Sequence, residues 1–419
     1  MELYRFRRGA LVKILVATPM PPETQPTNSV PLVTYGQLIG LAARHQVTLV
    51  TGAGPDSVDE AGLNRLANLG VDVRVAWRVP GAGLRRWRWR WRLVSTWLRR
   101  TYPFRSLWYW EPELQHLLDR TLQERFDVVT AEDNAMGMYR YHTASPKLLT
   151  EMEVRRPRAI DWAGRSKASW RQWAFQEADW RRWAPYQQAI WRQFDRIQVF
   201  TTRDAAAIGR LAPTLVGRVR VNPFGLDLPP AADPAREDNA TIVFVGGFSH
   251  WPNVDAALWL AQEIMPRLRQ RRPGLRLVLV GSYPPASVQA LAAEDVTVTG
   301  YVPAVEPYLE RATVVLAPVR VGGGMRMKVL QAMALGKAVV TTPLGVEGLT
   351  TEGASPPLAL AADADAVAAA TADLLADVEK RHALGRSARA FVAQHYSTEA
   401  YTRRLEAIYN EVLAERRAA

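Results

Sequence analysis

The stretch Ala317–Leu349, APVRVGGGMRMKVLQAMALGKAVVTTPLGVEGL, reads in order as a buried strand, a three-glycine turn, a helix with a basic start and a second strand. The strand is the apolar run Thr313–Ala317, closed by Pro318. The helix rests on Met327, Leu330, Gln331 and Ala334 at helical spacing, with a stop at Gly336. Gly322, Gly323 and Gly324 fall between them. Residues without a Cβ let backbone N–H groups turn toward a ligand, and a helix start behind them offers unsatisfied donors to an anion. Such a unit holds a diphosphate. Arg326 and Lys328 add two full charges at the same end, an order that disfavours an isolated helix and that a bound anion relieves. Taken alone, the turn also fits a basic loop capping a buried helix.

Strand and helix alternate on both sides of this unit. Before it come strands at Thr241–Val245, Arg276–Val280 and Val296–Thr299, with helices at Asp255–Arg269, Val288–Ala293 and Val305–Glu310 between them. After it, Asp363–Ala376, Glu379–His395 and Thr398–Arg417 are helical. An earlier series places strands at Val12–Ala17, Gln46–Thr51, Val71–Ala76, Asp127–Ala131 and Lys147–Thr150, with helices at Leu32–Arg44 and Leu63–Leu69. Asn222–Pro234, NPFGLDLPPAADP, separates the two series and reads as a link. The expectation is two doubly wound parallel-sheet domains of α/β class, residues 1–222 and 223–397, with a C-terminal helix over 398–419 that crosses back to the first.

Composition sets the limits. A chain of 419 residues exceeds the size of one core, so two domains are the default. Without cysteine there is no disulfide and no thiol chemistry, which fits a reducing cytoplasm. The six histidines form no paired motif, so no metal site is expected. The start MELYRFRRGALVKILVATP reads as a strand rather than a signal peptide, and no window approaches the roughly 18 apolar residues of a membrane span. A net charge of +12 points to an anionic partner without naming it.

The order of local motifs narrows the reading. VGGFSHWPNVDAALWLAQEIMPRL (Val245–Leu268), LVLVGSYPP (Leu277–Pro285) and the run from Val296 to Leu349 together resemble the donor domain of family 4 glycosyltransferases, group 1 type, which have the GT-B fold. The likeness covers residues 241–400 and extends more weakly over the first half through KILVATPMPP, HQVTLVTG, FDRIQVFTTRDAAAI and VRVNPFGLD. It implies two Rossmann-like domains facing a central cleft. It also implies transfer of a hexose-like unit from a nucleotide-diphosphate sugar, UDP or GDP, to a glycan or lipid-linked acceptor. Retention of configuration and no need for a metal or other cofactor go with it.

The same resemblance places residues. Gly246 and Gly247 would admit the diphosphate, and Arg326 and Lys328 would stabilise the charge that grows on the departing nucleotide. Gly281, Tyr301 and Val302 would line the base pocket, and Glu347 would lie near the ribose and diphosphate. Many members carry two glutamates eight positions apart, where this chain has Gly323 and Gln331; Gln331 still offers a hydrogen bond to a ribose hydroxyl. Related enzymes often carry a histidine in the first domain, and none stands in TEMEVRRP here. The acidic candidates are Glu132, Asp133, Glu151 and Glu153, of which Glu151 and Glu153 are taken as the catalytic pair.

Twelve of the fifteen tryptophans lie between Trp87 and Trp191, eleven of them in two arginine-rich blocks. In the first, residues 84–110, Leu84, Trp87, Trp91, Val94 and Leu98 share a helix face and arginines take the others. Such a helix either lies in a membrane interface or turns its tryptophans into a core. The second block, Ser169–Phe194, is expected to pack against the first domain. Nucleic acid is not an expected partner, since no recognition fold accompanies the arginines. The expected location is the cytoplasm, at the inner face of the membrane if the first block binds it. The rival functions are a non-catalytic protein that keeps this fold, for which Gln331 and the missing histidine speak, and a nucleotide-sugar epimerase.

Overall fold

The computed structural model describes residues 11–23, 29–54, 60–77, 91, 94–98, 102–155, 175, 177–322, 326–351 and 353–418. Gly323, Gly324 and most of residues 78–101 lie outside the described residues. Among those described, residues up to 155, from 175 to Leu226 and from Thr398 onward form one compact unit, and Asp227–Ser397 form the other.

The first unit is built on seven strands: β1 (Lys13–Thr18), β2 (Gln46–Ala53), β3 (Asp72–Trp77), β4 (Val128–Glu132), β5 (Lys147–Glu151), β6 (Arg196–Val199) and β7 (Val219–Val221). They run in the order β3-β2-β1-β4-β5-β6-β7, every pair parallel. The middle strands are apolar runs because a parallel sheet is covered on both faces. Leu15, Ala17, Val129, Leu149 and Ile197 share one core cluster with Trp183, Tyr186, Ile190 and Trp191, so the second tryptophan block packs into this unit.

Strands β6 and β7 are not among the expected elements. Arg196 and Gln198 are buried, which breaks the apolar pattern. Each has a partner on the C-terminal helix Thr398–Ala418, which belongs to this unit. Arg196 pairs with Glu411 and Glu415, and Gln198 Nε2 donates to the Tyr401 hydroxyl over 3.0 Å. Asn222 is fully buried, donating to Gln198 Oε1 over 3.0 Å and accepting from Arg404 Nε over 2.9 Å, so Asn222 is packed into this unit and does not act as free linker.

The second unit holds β8 (Thr241–Val245), β9 (Arg276–Val280), β10 (Val296–Val298), β11 (Val314–Ala317), β12 (Val339–Thr341) and β13 (Ala359–Leu360), all parallel in the order β10-β9-β8-β11-β12-β13. The helix expected from Asp255 begins earlier, at Trp251, because Pro252 fills a first-turn position whose N–H needs no partner. It passes through a π turn at Leu260–Ile264 into Met265–Arg271; Pro266 has no N–H for the ordinary ladder, and the wider turn precedes it. The helix expected at Val288–Ala293 is shorter and earlier, Ala286–Gln289, and Ala293 forms a bridge with Val296 instead. Glu237 ties the unit's lower layer together, one oxygen accepting from Arg381 at 2.5 Å and the other from Lys337 at 3.1 Å, all three side chains nearly excluded from water.

Both sheets have the doubly wound order, in which the chain leaves the first strand of each unit in one direction and returns on the other side. Ligands bind such sheets beyond the carboxyl ends of the strands at that reversal, here between β1 and β4 and between β8 and β11.

Candidate functional site

In the second unit the reversal brings the Gly246–Gly247 turn after β8 beside the segment that follows β11. Gly281, after β9, lies against the first of these turns: a Cβ there would come 2.0 Å from the Gly246 carbonyl oxygen, so only glycine lets the two loops touch. Gly322 has φ +96° and faces the Pro252 ring, 2.7 Å from where its Cβ would stand. The backbone there is thus both left-handed and crowded, which glycine alone tolerates.

Arg326 and Lys328 stand at the start of the helix Met327–Ala334. Arg326 is buried and donates to the carbonyls of Gly322 (3.1 Å) and Leu344 (3.1 and 3.3 Å). It thereby fastens Gly322 to the short turn Pro343–Val346 that follows β12, and Glu347 caps that turn. Lys328 Nζ donates to Asn253 Oδ1 and sits 4.8 Å from the centre of the Phe244 ring. Among the described residues Lys328 pairs with no carboxylate. Burial, and then the charge of Arg326, bring it down to about 7. A lysine held this way is short of negative charge, and an anion at the turn would supply it.

Other donor-side candidates are spread over the same strand ends. Tyr301 follows β10 and is 69% exposed, with Val302 partly buried beside it. Gln331 is on the second turn of the helix that carries Lys328 and is partly buried. Gly323 and Gly324 lie outside the described residues.

In the first unit, Glu132 ends β4 and Glu151 ends β5, and neither has exposed surface. Glu151 accepts from Asn134 Nδ2 (2.9 Å) and Trp191 Nε1 (2.7 Å), and burial pushes it up to about 8 against those two bonds. Its carboxyl therefore belongs to the packing of the unit. Glu132 accepts from Gln37 Nε2 (2.8 Å), and burial raises it to about 7. Asp133 differs: it is partly exposed and holds φ 78°, ψ 148°, a conformation rare outside glycine, directly at the carboxyl end of β4. Its side chain accepts from Ala135 N over 2.8 Å. Glu153 is partly buried two residues beyond β5.

Sequence reasoning passed over Asn253 and Phe244, which hold Lys328. Pro252 marks a helix start locally, but nothing near Asn253 in the sequence shows that its amide meets a lysine 75 residues later. Among the described residues no group of three histidine, aspartate or glutamate side chains converges as a metal site, and no helix is long and apolar enough to cross a membrane.

Residues 239–377 match the family model described as glycosyl transferases group 1. No curated protein sequence matches the chain. Among solved structures, the chain is similar to HepE from Anabaena in complex with UDP and glucose, at 12% identity and TM-score 0.65, covering 95% of this chain and all of that one. It is also similar to sucrose-phosphate synthase from Thermosynechococcus elongatus, at 18% identity and TM-score 0.62, over 96% of this chain and all of that one. A third similar structure is a mutant of S. aureus TarM with fondaparinux, α-GlcNAc-glycerol and UDP, at 11% identity and TM-score 0.64, over 95% of this chain and all of that one. The fold is GT-B: two Rossmann-like parallel-sheet domains in one chain.

Proposed function

We propose that this protein is a glycosyltransferase of the family 4 kind that takes a hexose from a nucleotide-diphosphate sugar and passes it to a glycan or lipid-linked acceptor. The observation that carries the reading is Lys328, which among the described residues pairs with no carboxylate and feels the like charge of Arg326, at the start of the helix that follows the reversal strand. Fixed cations there stabilise the leaving diphosphate as the glycosidic bond breaks, so the site acts without needing a metal for that task. The group 1 match over the same residues and the UDP named in two similar structures support a UDP donor, with GDP as the alternative. Gly246, Gly247, Gly281 and Gly322 shape the diphosphate site; Tyr301 and Val302 border the base, and Gln331 and Glu347 border the ribose. Retention of configuration goes with the family resemblance. On the acceptor side, Asp133 is better exposed than Glu151 to meet a sugar hydroxyl, with Glu153 next to it in the same set of strand ends.

Trp91, Val94 and Leu98 are 55%, 39% and 66% exposed. Three apolar residues at helical spacing turned outward, in a segment with arginines at 85, 86, 88, 90, 92, 99 and 100, suit an anionic membrane surface that presents a lipid-linked acceptor.

The test is product formation. The purified chain is incubated with UDP- and GDP-sugars and with glycan and lipid-linked acceptors, and the products are weighed by mass spectrometry. A sugar joined to an acceptor is the expected result. Release of free epimerised sugar would identify an epimerase. Nucleotide binding without turnover would favour a non-catalytic protein, the reading that Gln331 and the enclosed Glu151 support.

A further inference from the structure

Asn253 is the third residue of the helix Trp251–Trp259, which follows the Gly246–Gly247 turn. Its Nδ2 donates to the Gly247 carbonyl over 2.7 Å, and its Oδ1 accepts from Lys328 Nζ, 75 residues later in the chain. A second contact of that ammonium is the Phe244 ring on β8, 4.8 Å from its centre. Both come from β8 and the helix after it, so the position of the Lys328 head is set from across the reversal rather than by its own helix. Pro252, next to Asn253, packs on Gly322 and closes the same junction from the other side.

The chemistry of the amide fits this place. With Nδ2 tied to a carbonyl, Oδ1 is the atom left to meet a donor, so the side chain has one satisfied orientation. An amide oxygen directs an ammonium without neutralising it, whereas a carboxylate in the same position would form an ion pair and use up the charge. We infer that Asn253 is a positioning residue for Lys328, aiming its ammonium at the diphosphate while leaving the positive charge uncompensated. This deepens the proposed function and rests on it. The lowered lysine agrees with the geometry: Arg326, of like sign, is the charged group acting on it.

The test uses the full chain with Asn253→Asp and Asn253→Ala. Without ligand, the titration of Lys328 is followed from the pH dependence of its acylation rate, read by mass spectrometry. UDP affinity is then measured by calorimetry at pH 7. The aspartate should move the lysine titration up by about one pH unit or more and weaken UDP by about tenfold, because the charge is already paired. The alanine should weaken UDP by about tenfold with a wild-type thermal midpoint. Wild-type affinity in both variants, with wild-type protein that binds UDP, would overturn this inference alone. A wild-type protein that binds no nucleoside diphosphate would overturn the functional reading and the inference with it.

Discussion

Trp191 donates its indole N–H to Glu151 Oε2 over 2.7 Å, and with Asn134 on the other oxygen it encloses a carboxyl group that has no exposed surface. A carboxyl raised to about 8 holds a proton in the folded chain that the unfolded chain, near its ordinary 4.5, releases at neutral pH. The stabilising contribution is therefore complete below about pH 4.5 and is lost as pH rises through about 8. Glu132, raised to about 7, acts with the same sign. Each group lowers stability by at most about 1.4 kcal/mol per pH unit within its window. The thermal midpoint should fall between pH 5.5 and 8.5, and Glu151→Gln should flatten that slope; a midpoint that climbs with pH in both proteins would contradict the protonated state.

Glu237 neutralises two cations that are themselves cut off from water, Lys337 and Arg381, at 5% and 4% side-chain exposure. Removing the acid strands both charges. Glu237→Gln should cost about 3–5 kcal/mol, read from chemical unfolding of the second unit. A loss below about 1 kcal/mol would mean that the cations relax into solvent.

The outward face of Trp91 and Leu98 gives a surface prediction. Wild-type protein should co-sediment with vesicles rich in anionic lipid and release at high salt, because the arginines act through a screened field. Trp91→Ser with Leu98→Ser should abolish sedimentation at any salt and leave nucleotide binding intact. Equal sedimentation of wild type and variant would show that this face does not meet lipid.

The strands of both sheets were readable wherever the chain supplies a continuous apolar run, as in Thr241–Val245, because a parallel sheet covers both faces. β6 was not, since burying Arg196 and Gln198 depends in part on Glu411, Glu415 and Tyr401, some 200 residues later. The site shows the same division. Glycines and cations at a strand end mark a candidate anion site locally, so the grouping of Gly322, Arg326 and Lys328 could be read from the chain. Asn253 could not, because its part depends on a lysine in another strand–helix unit. The surroundings of Glu151 were not legible for a related reason: an acid at a strand end reads the same whether it meets solvent or, as here, the indole of Trp191.

In the proposed reaction Lys328 receives the diphosphate. The direct measurement is calorimetric titration of UDP and GDP into wild type and Lys328→Ala at pH 7 and pH 9. Burial brings the lysine of the free protein down to about 7, so above that pH binding must draw a proton from solvent to recharge it, and wild-type affinity should fall by about tenfold or more between the two pH values. Lys328→Ala should keep its thermal midpoint, bind at least about tenfold more weakly at pH 7 and lose the pH dependence. Equal affinity of the two proteins at pH 7 would contradict the account.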